Sequence, residues 1–240
     1  MGDVIATACP SDWSAGHGRP LDGTLEAMGY TRWLAGEILD LVRANRFWMT
    51  WNLILAFIPA FLAVLLFWPP HRRTFLWWCG VCVFVLFLPN APYVVTDLIH
   101  MRGDAASAAS DGVLVFGVLP LYGAFIAVGF GCFLVCLELI VREVRSMRPG
   151  ASRWSIELTT SAVCALGIVL GRLARLNSWD TVENPRRTAE QIFTTLTWKG
   201  SPFIFTAILL AVVVTTAVLR ALLAPLAALT ARAREHPGVS

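Results

Sequence analysis

Asp97 and His100 stand three apart in the stretch FLPNAPYVVTDLIH, residues 87–100, directly after a run apolar enough for lipid. On a helix that begins near Thr96, this spacing puts a carboxylate and an imidazole on one face, with Thr96 placed to cap it. Asn177 and Asp180 repeat the spacing in GRLARLNSWDTVENP, residues 171–185, where Arg172 and Arg175 are likewise three apart. Three chemistries are open to this set. In a structural reading, Asn90, Asp97, Asn177 and Asp180 cap helix ends, and Arg172 or Arg175 pairs with Asp97 or Asp180, because charges at membrane depth seldom stay unpaired. In a hydrolytic reading, Asp97, His100 and Asp180 hold a metal; carboxylate and imidazole suit zinc or manganese. In a transport reading, ionisable groups line a solute or proton path. Glu138 and Glu157 are the remaining acids in or at the ends of apolar runs, and both belong near the opposite face, so no continuous relay is read. No cofactor is identified.

The elements that must position these residues are apolar. The chain is 57% hydrophobic and 15% charged, with a mean hydropathy of +0.66; a soluble domain averages about 25% charged residues. Five segments approach the roughly 20 residues needed to cross a bilayer: 47–68, about 74–89, 113–140, about 155–173 and about 202–226. The fold class is therefore all-α, a polytopic membrane helix bundle of about five spans. Ahead of the first span, residues 31–48 place Trp33, Leu34, Ile38, Leu41 and Val42 at helical spacing among charges, which predicts an amphipathic helix at the membrane surface. Residues 188–200 suggest a second, weaker one.

Residues 1–30 read as a disordered or loosely attached tail, 31–226 as the membrane domain and 227–240 as a C-terminal tail. Tryptophans near the predicted span ends form an interfacial belt. GIVLG, Gly167 to Gly171, is a small-xxx-small pattern that lets two helices approach closely. Five of the six cysteines lie in apolar runs and read as small buried side chains. The net charge of +3 comes with no basic block of the nucleic-acid-binding kind. The partner implied is the lipid bilayer, not a nucleic acid.

Pro89 and Pro92 remove two backbone donors from the end of the second span. The stretch is thus either a kinked helix end or an unwound, re-entrant segment. The Asn90 amide is suited to serve a freed carbonyl, and Tyr93 offers an apolar ring with a polar tip for the interface. Alternating loops put the 89–112 and 172–201 segments on one membrane face and the 141–154 loop on the other. That second loop, VREVRSMRPGASRW, carries the clearer cytoplasmic signal, so the motif face is assigned outward, on a multi-pass inner-membrane protein.

FWMTWNLILAFIP, FLPNAPYVVTDLIH and GRLARLNSWD resemble three signature segments of a bacterial integral-membrane family, the domain of unknown function thirteen-sixty-one. The resemblance covers about residues 40–225. It implies a multi-span bacterial membrane protein and transfers no activity, substrate, cofactor or catalytic residue. The candidate cluster of Asn90, Tyr93, Asp97, His100, Arg172, Arg175, Asn177 and Asp180 rests on residue chemistry alone.

Overall fold

The computed structural model of the chain describes residues 23–68, 73–173 and 183–235. An apolar chain in hydrocarbon must satisfy its backbone groups within each segment, and no strand occurs among the described residues. Five helices are long and apolar enough to cross a membrane: Ala27–Phe67, Phe75–Ala106, Asp111–Met147, Arg153–Gly171 and Ser201–Pro225. They match the five apolar runs in number and order. The protein is a multi-pass membrane protein of the all-α class.

Helix α1 runs unbroken from Gly23 to Phe67. A helix is present over 31–48, as the first half of α1 and not as a separate element. Nothing in ANRFWMTWN, residues 44–52, can stop a helix, since the segment holds neither glycine nor proline. At 1.5 Å per residue α1 is about 65 Å long, about twice the roughly 30 Å of a hydrocarbon core, so its charged half extends beyond that core.

By internal contact the chain divides into two compact units, residues 1–51 with 97–125, and residues 52–96 with 126–240. In the first unit, α1 packs against α4 (Leu98–Ala106), the short α5 (Asp111–Val113), a π-turn at Leu114–Val118 and the beginning of α6 (Leu119–Met147). Two glycines admit α1. A Cβ at Gly112 would collide with the Tyr30 hydroxyl, and one at Gly117 would come within 3.1 Å of Ile38 Cγ1. Leu34, Ile38 and Leu41, apolar positions of the helix expected over 31–48, lie against these protein positions.

In the second unit, α2 (Phe75–Phe87) is capped by Thr74, whose hydroxyl accepts from Trp77 N. It is tied to the end of α1 by Trp77 Nε1 donating to Leu66 O at 2.9 Å and by edge-on contacts of Phe67 with Trp77 and Phe84. Helix α3 (Asn90–Tyr93) follows, then a 3-10 turn at Val94–Asp97. Next come α7 (Arg153–Leu173), α8 (Pro185–Thr197, with proline at the first turn) and α9 (Ser201–Glu235). Helix α9 packs along α7, and α3 packs on α7.

The proline segment stays helical. Leu88, Pro89 and Val94 all have right-handed helical φ and ψ, so of the two forms expected for it the interrupted helix is realised and the unwound loop is not. The backbone is satisfied locally. Ala91 N–H donates to Leu88 O at 3.3 Å, the carbonyl whose ordinary donor would have been Pro92, and the Asn90 side-chain amide donates to Phe87 O at 2.9 Å. Ala91, Pro92 and Val94 are fully or nearly fully buried. Two glycines hold this segment close: a Cβ at Gly167 of α7 would lie 2.7 Å from Pro89 Cβ, and one at Gly129 of α6 would lie 2.6 Å from Val94 Cγ2. The close approach expected at GIVLG is made by Gly167.

Candidate functional site

In the first unit the chemistry gathers around a residue that the sequence pass did not single out. Asp97, His100 and Asp104 follow one another at steps of three and four, which lines them along one stripe of a helix. Asp104 Oδ2 accepts from Asn45 Nδ2 at 2.8 Å and from the Tyr122 hydroxyl at 2.9 Å. Its Oδ1 accepts no hydrogen bond among the described residues. Asn45 also donates to Leu41 O at 3.0 Å, and its Oδ1 accepts from Trp48 Nε1 at 2.8 Å. The Trp48 ring lies 4.9 Å from the His100 ring, 6.2 Å from Tyr122 and 5.5 Å from Phe125, the last edge-on.

Burial orders this site. Asn45 and Asp97 are 6% and 3% exposed and Tyr122 is fully buried, whereas His100 is exposed. Among the described residues each buried side-chain polar atom has a partner, as a low-dielectric site requires. The result is a carboxylate held on one oxygen by two donors and linked through Asn45 to an indole N–H.

Half of the sequence-derived cluster lies among residues with described side chains, namely Asn90, Tyr93, Asp97 and His100. Arg172 lies near the end of α7, and its side chain is not among those described; Arg175, Asn177 and Asp180 lie outside the described residues. The pairing expected between Asp97 and that segment falls there too. Helix α4 starts at Leu98 with Asp97 in the capping position, one residue later than a Thr96 cap would place it. Asp97 makes no side-chain cap bond, and the Thr96 hydroxyl donates to Tyr93 O at 2.7 Å. No three His, Cys, Asp or Glu among the described residues converge as a metal site would need. The five described cysteines are free.

A second polar site, also missed, lies in the second unit. Arg153 at the start of α7 donates from Nε to Glu157 Oε1 at 2.6 Å and from Nη2 to Glu138 Oε1. Arg220 of α9 donates from Nη1 to Glu157 Oε2 at 2.7 Å and from Nη2 to Glu138 Oε1 at 3.0 Å. Two guanidinium groups and two carboxylates thus link α6, α7 and α9, beside a pocket of about 320 Å³ between α7 and α9. A related tie joins Arg73 to Glu143 at 2.9 Å, and Arg142 sits 4.7 Å from the centre of the Trp68 ring. The signal for this site was the sequence position of its members: loop alternation puts the end of α6, the start of α7 and the latter part of α9 at one membrane face.

With this geometry in view, comparison with known families adds one decisive match. The model of the family described as Protein of unknown function (DUF1361) matches residues 51–215, more than half of the chain. The chain belongs to this family. The matched stretch includes the proline segment, His100, Asp104 and Tyr122 of the first site, and Glu138, Arg153 and Glu157 of the second; Asn45, Trp48 and Arg220 lie beyond its ends. No curated protein and no solved structure matches the chain. The DUF1361 assignment agrees with the sequence resemblance in its extent and carries no residue roles.

Proposed function

We propose that this chain is a multi-pass protein of the bacterial inner membrane that binds a small organic cation at the Asn45–Trp48–His100–Asp104–Tyr122 site. The observation that carries the reading is the Asp104 carboxylate, whose Oδ2 is fixed by two donors, whose Oδ1 accepts from no described residue, and which Asn45 links to the Trp48 indole. A preset carboxylate next to an indole is the chemistry that holds an ammonium, by charge and by attraction to the ring face. The lipid bilayer is the surrounding partner, and no nucleic acid is involved.

Thermal unfolding of the purified protein in detergent tests this. Choline at rising concentration should raise Tm in proportion to the logarithm of its excess over Kd, and Asp104→Asn should abolish the shift. No shift with choline or tetramethylammonium would reduce the site to a structural tie and overturn the proposal. A shift with zinc or manganese alone, reversed by chelator, would favour a metal-dependent activity instead.

The orientation proposed from the arginine-rich 141–154 loop puts the motif-bearing loops outside. In a variant lacking the native cysteines, Ser107→Cys and Glu190→Cys should react with an impermeant maleimide in spheroplasts, and Ala151→Cys only after lysis. The reverse pattern would invert the orientation, and Ser107 and Glu190 reporting from different sides would break the five-span alternation.

A further inference from the structure

We propose that the pocket between α7 and α9 is a seat for a zwitterionic phospholipid whose headgroup carries a phosphate and a primary ammonium. Its position points to an amphiphile. Arg153 opens the candidate span Arg153–Gly171, and Arg220 stands five residues from the end of the span Ser201–Pro225, so the charged rim belongs at the membrane boundary. From that rim the lining becomes mostly apolar, with Ser161 and Thr216 as its hydroxyl-bearing members. Leu158 lies one turn in from Arg153, while Ala217 and Val213 lie one and two turns in from Arg220. The Thr216 hydroxyl in the lining is spent on its own helix, donating to Val212 O at 2.7 Å. Trp154 stands at the mouth, 66% exposed, as an interfacial tryptophan does. A volume of about 320 Å³ is at the small end for a ligand pocket and suits a headgroup whose chains continue outward into the bilayer.

The charges select among headgroups. Arg153, Arg220, Glu138 and Glu157 sum to zero and already neutralise one another. A net anion, whether free phosphate or a phosphatidylglycerol headgroup, would upset that balance; a zwitterion keeps it. The atoms left over have the right complementarity. Arg153 Nη1 and Arg220 Nε donate to no described residue, and Glu138 Oε2 accepts from none. The two donors, on arginines of the lining, suit a phosphate; Glu138 lies outside the lining, bound to both of those arginines, and its free oxygen suits an ammonium N–H at the pocket's edge. A choline headgroup has the same charge and no N–H to give, so the comparison of ethanolamine with choline lipid isolates that single contact.

The test uses the full chain, delipidated in detergent and exposed to equimolar phosphatidylethanolamine, phosphatidylcholine and phosphatidylglycerol, with bound lipid read by native mass spectrometry. Retention of the ethanolamine lipid over the choline lipid by about tenfold is expected, the size of one charge-assisted hydrogen bond. Glu138→Gln should bring that ratio close to one and raise phosphatidylglycerol, because the site then carries a net positive charge. Equal retention of the three lipids by the wild-type protein, a preference for phosphatidylglycerol, or an ethanolamine preference that survives Glu138→Gln would each overturn the proposal. The wild-type comparison needs no variant and decides even where the substitution impairs folding.

Discussion

Asp104→Ala is expected to lower stability more than any other single change in the first unit, by about 2–4 kcal/mol, read as a fall in Tm and in the denaturant midpoint in detergent. The cost comes from the partners left behind. Tyr122 is fully buried and its hydroxyl donates to Asp104; without the carboxylate that donor has no described acceptor. Asn45 loses the same acceptor and keeps its bond to Leu41 O, so its share is smaller. Tyr122→Phe removes the donor as well as the bond and should cost only about 1 kcal/mol. The double variant Asp104→Ala/Tyr122→Phe should therefore lose less than the sum of the two singles, since the orphaned hydroxyl is gone. Strict additivity, or an Asp104→Ala protein as stable as wild type, would show that the network does not tie α1, α4 and α6 together.

The parts of this molecule legible from sequence were those set by length and composition. Five apolar runs gave five helices of membrane-spanning length, because a lipid environment leaves the backbone no alternative. Boundaries were read less well. The first span was cut at Phe47 on hydropathy, yet a helix stops only where a breaker or cap stops it, and α1 runs from Gly23. The second was ended at its prolines, yet the helical path continues to Ala106, because Asn90 and the shifted Ala91 bond supply what the prolines withhold.

Site residues were harder for a plainer reason. Asp97 and His100 share a turn and are visible to any local pattern, and extending the stripe by four residues would have reached Asp104. Asn45, Trp48 and Tyr122 come from other helices, and no local spacing announces them. The four-residue ion network was hidden likewise: Arg153 reads as a charge of the 141–154 loop, Arg220 stands inside the apolar run 202–226, and Glu138 and Glu157 read as isolated acids. Their shared membrane face was already implied by the alternation of spans.

Gly167→Ala is expected to destabilise the second unit by about 1–3 kcal/mol, against the ordinary preference for alanine over glycine in a helix of about 1 kcal/mol. The added Cβ would sit 2.7 Å from Pro89 Cβ and closer still to Pro89 Cγ. A pyrrolidine ring cannot rotate away, and Pro89 is bracketed by helical backbone, so α7 and the proline segment must separate. Separation also loosens the buried Ala91, Pro92 and Val94, where small residues permit the close approach that drives helix association in lipid. Two controls distinguish this clash from a general glycine effect. At Gly131, also in α6, a Cβ meets nothing within 4 Å, so Gly131→Ala should be neutral or slightly stabilising. At Gly80 a Cβ would meet Leu66 Cδ2 at 2.7 Å, the flexible end of a side chain that can turn aside, so Gly80→Ala should cost less than Gly167→Ala. Gly129→Ala, against the stiff β-branched Val94 at 2.6 Å, should resemble Gly167→Ala. Folded yield and Tm across these four variants give the ranking, and a Gly167→Ala protein as stable as Gly131→Ala would refute the claim that PNAPYV, residues 89–94, is a packing element gripped by two glycines.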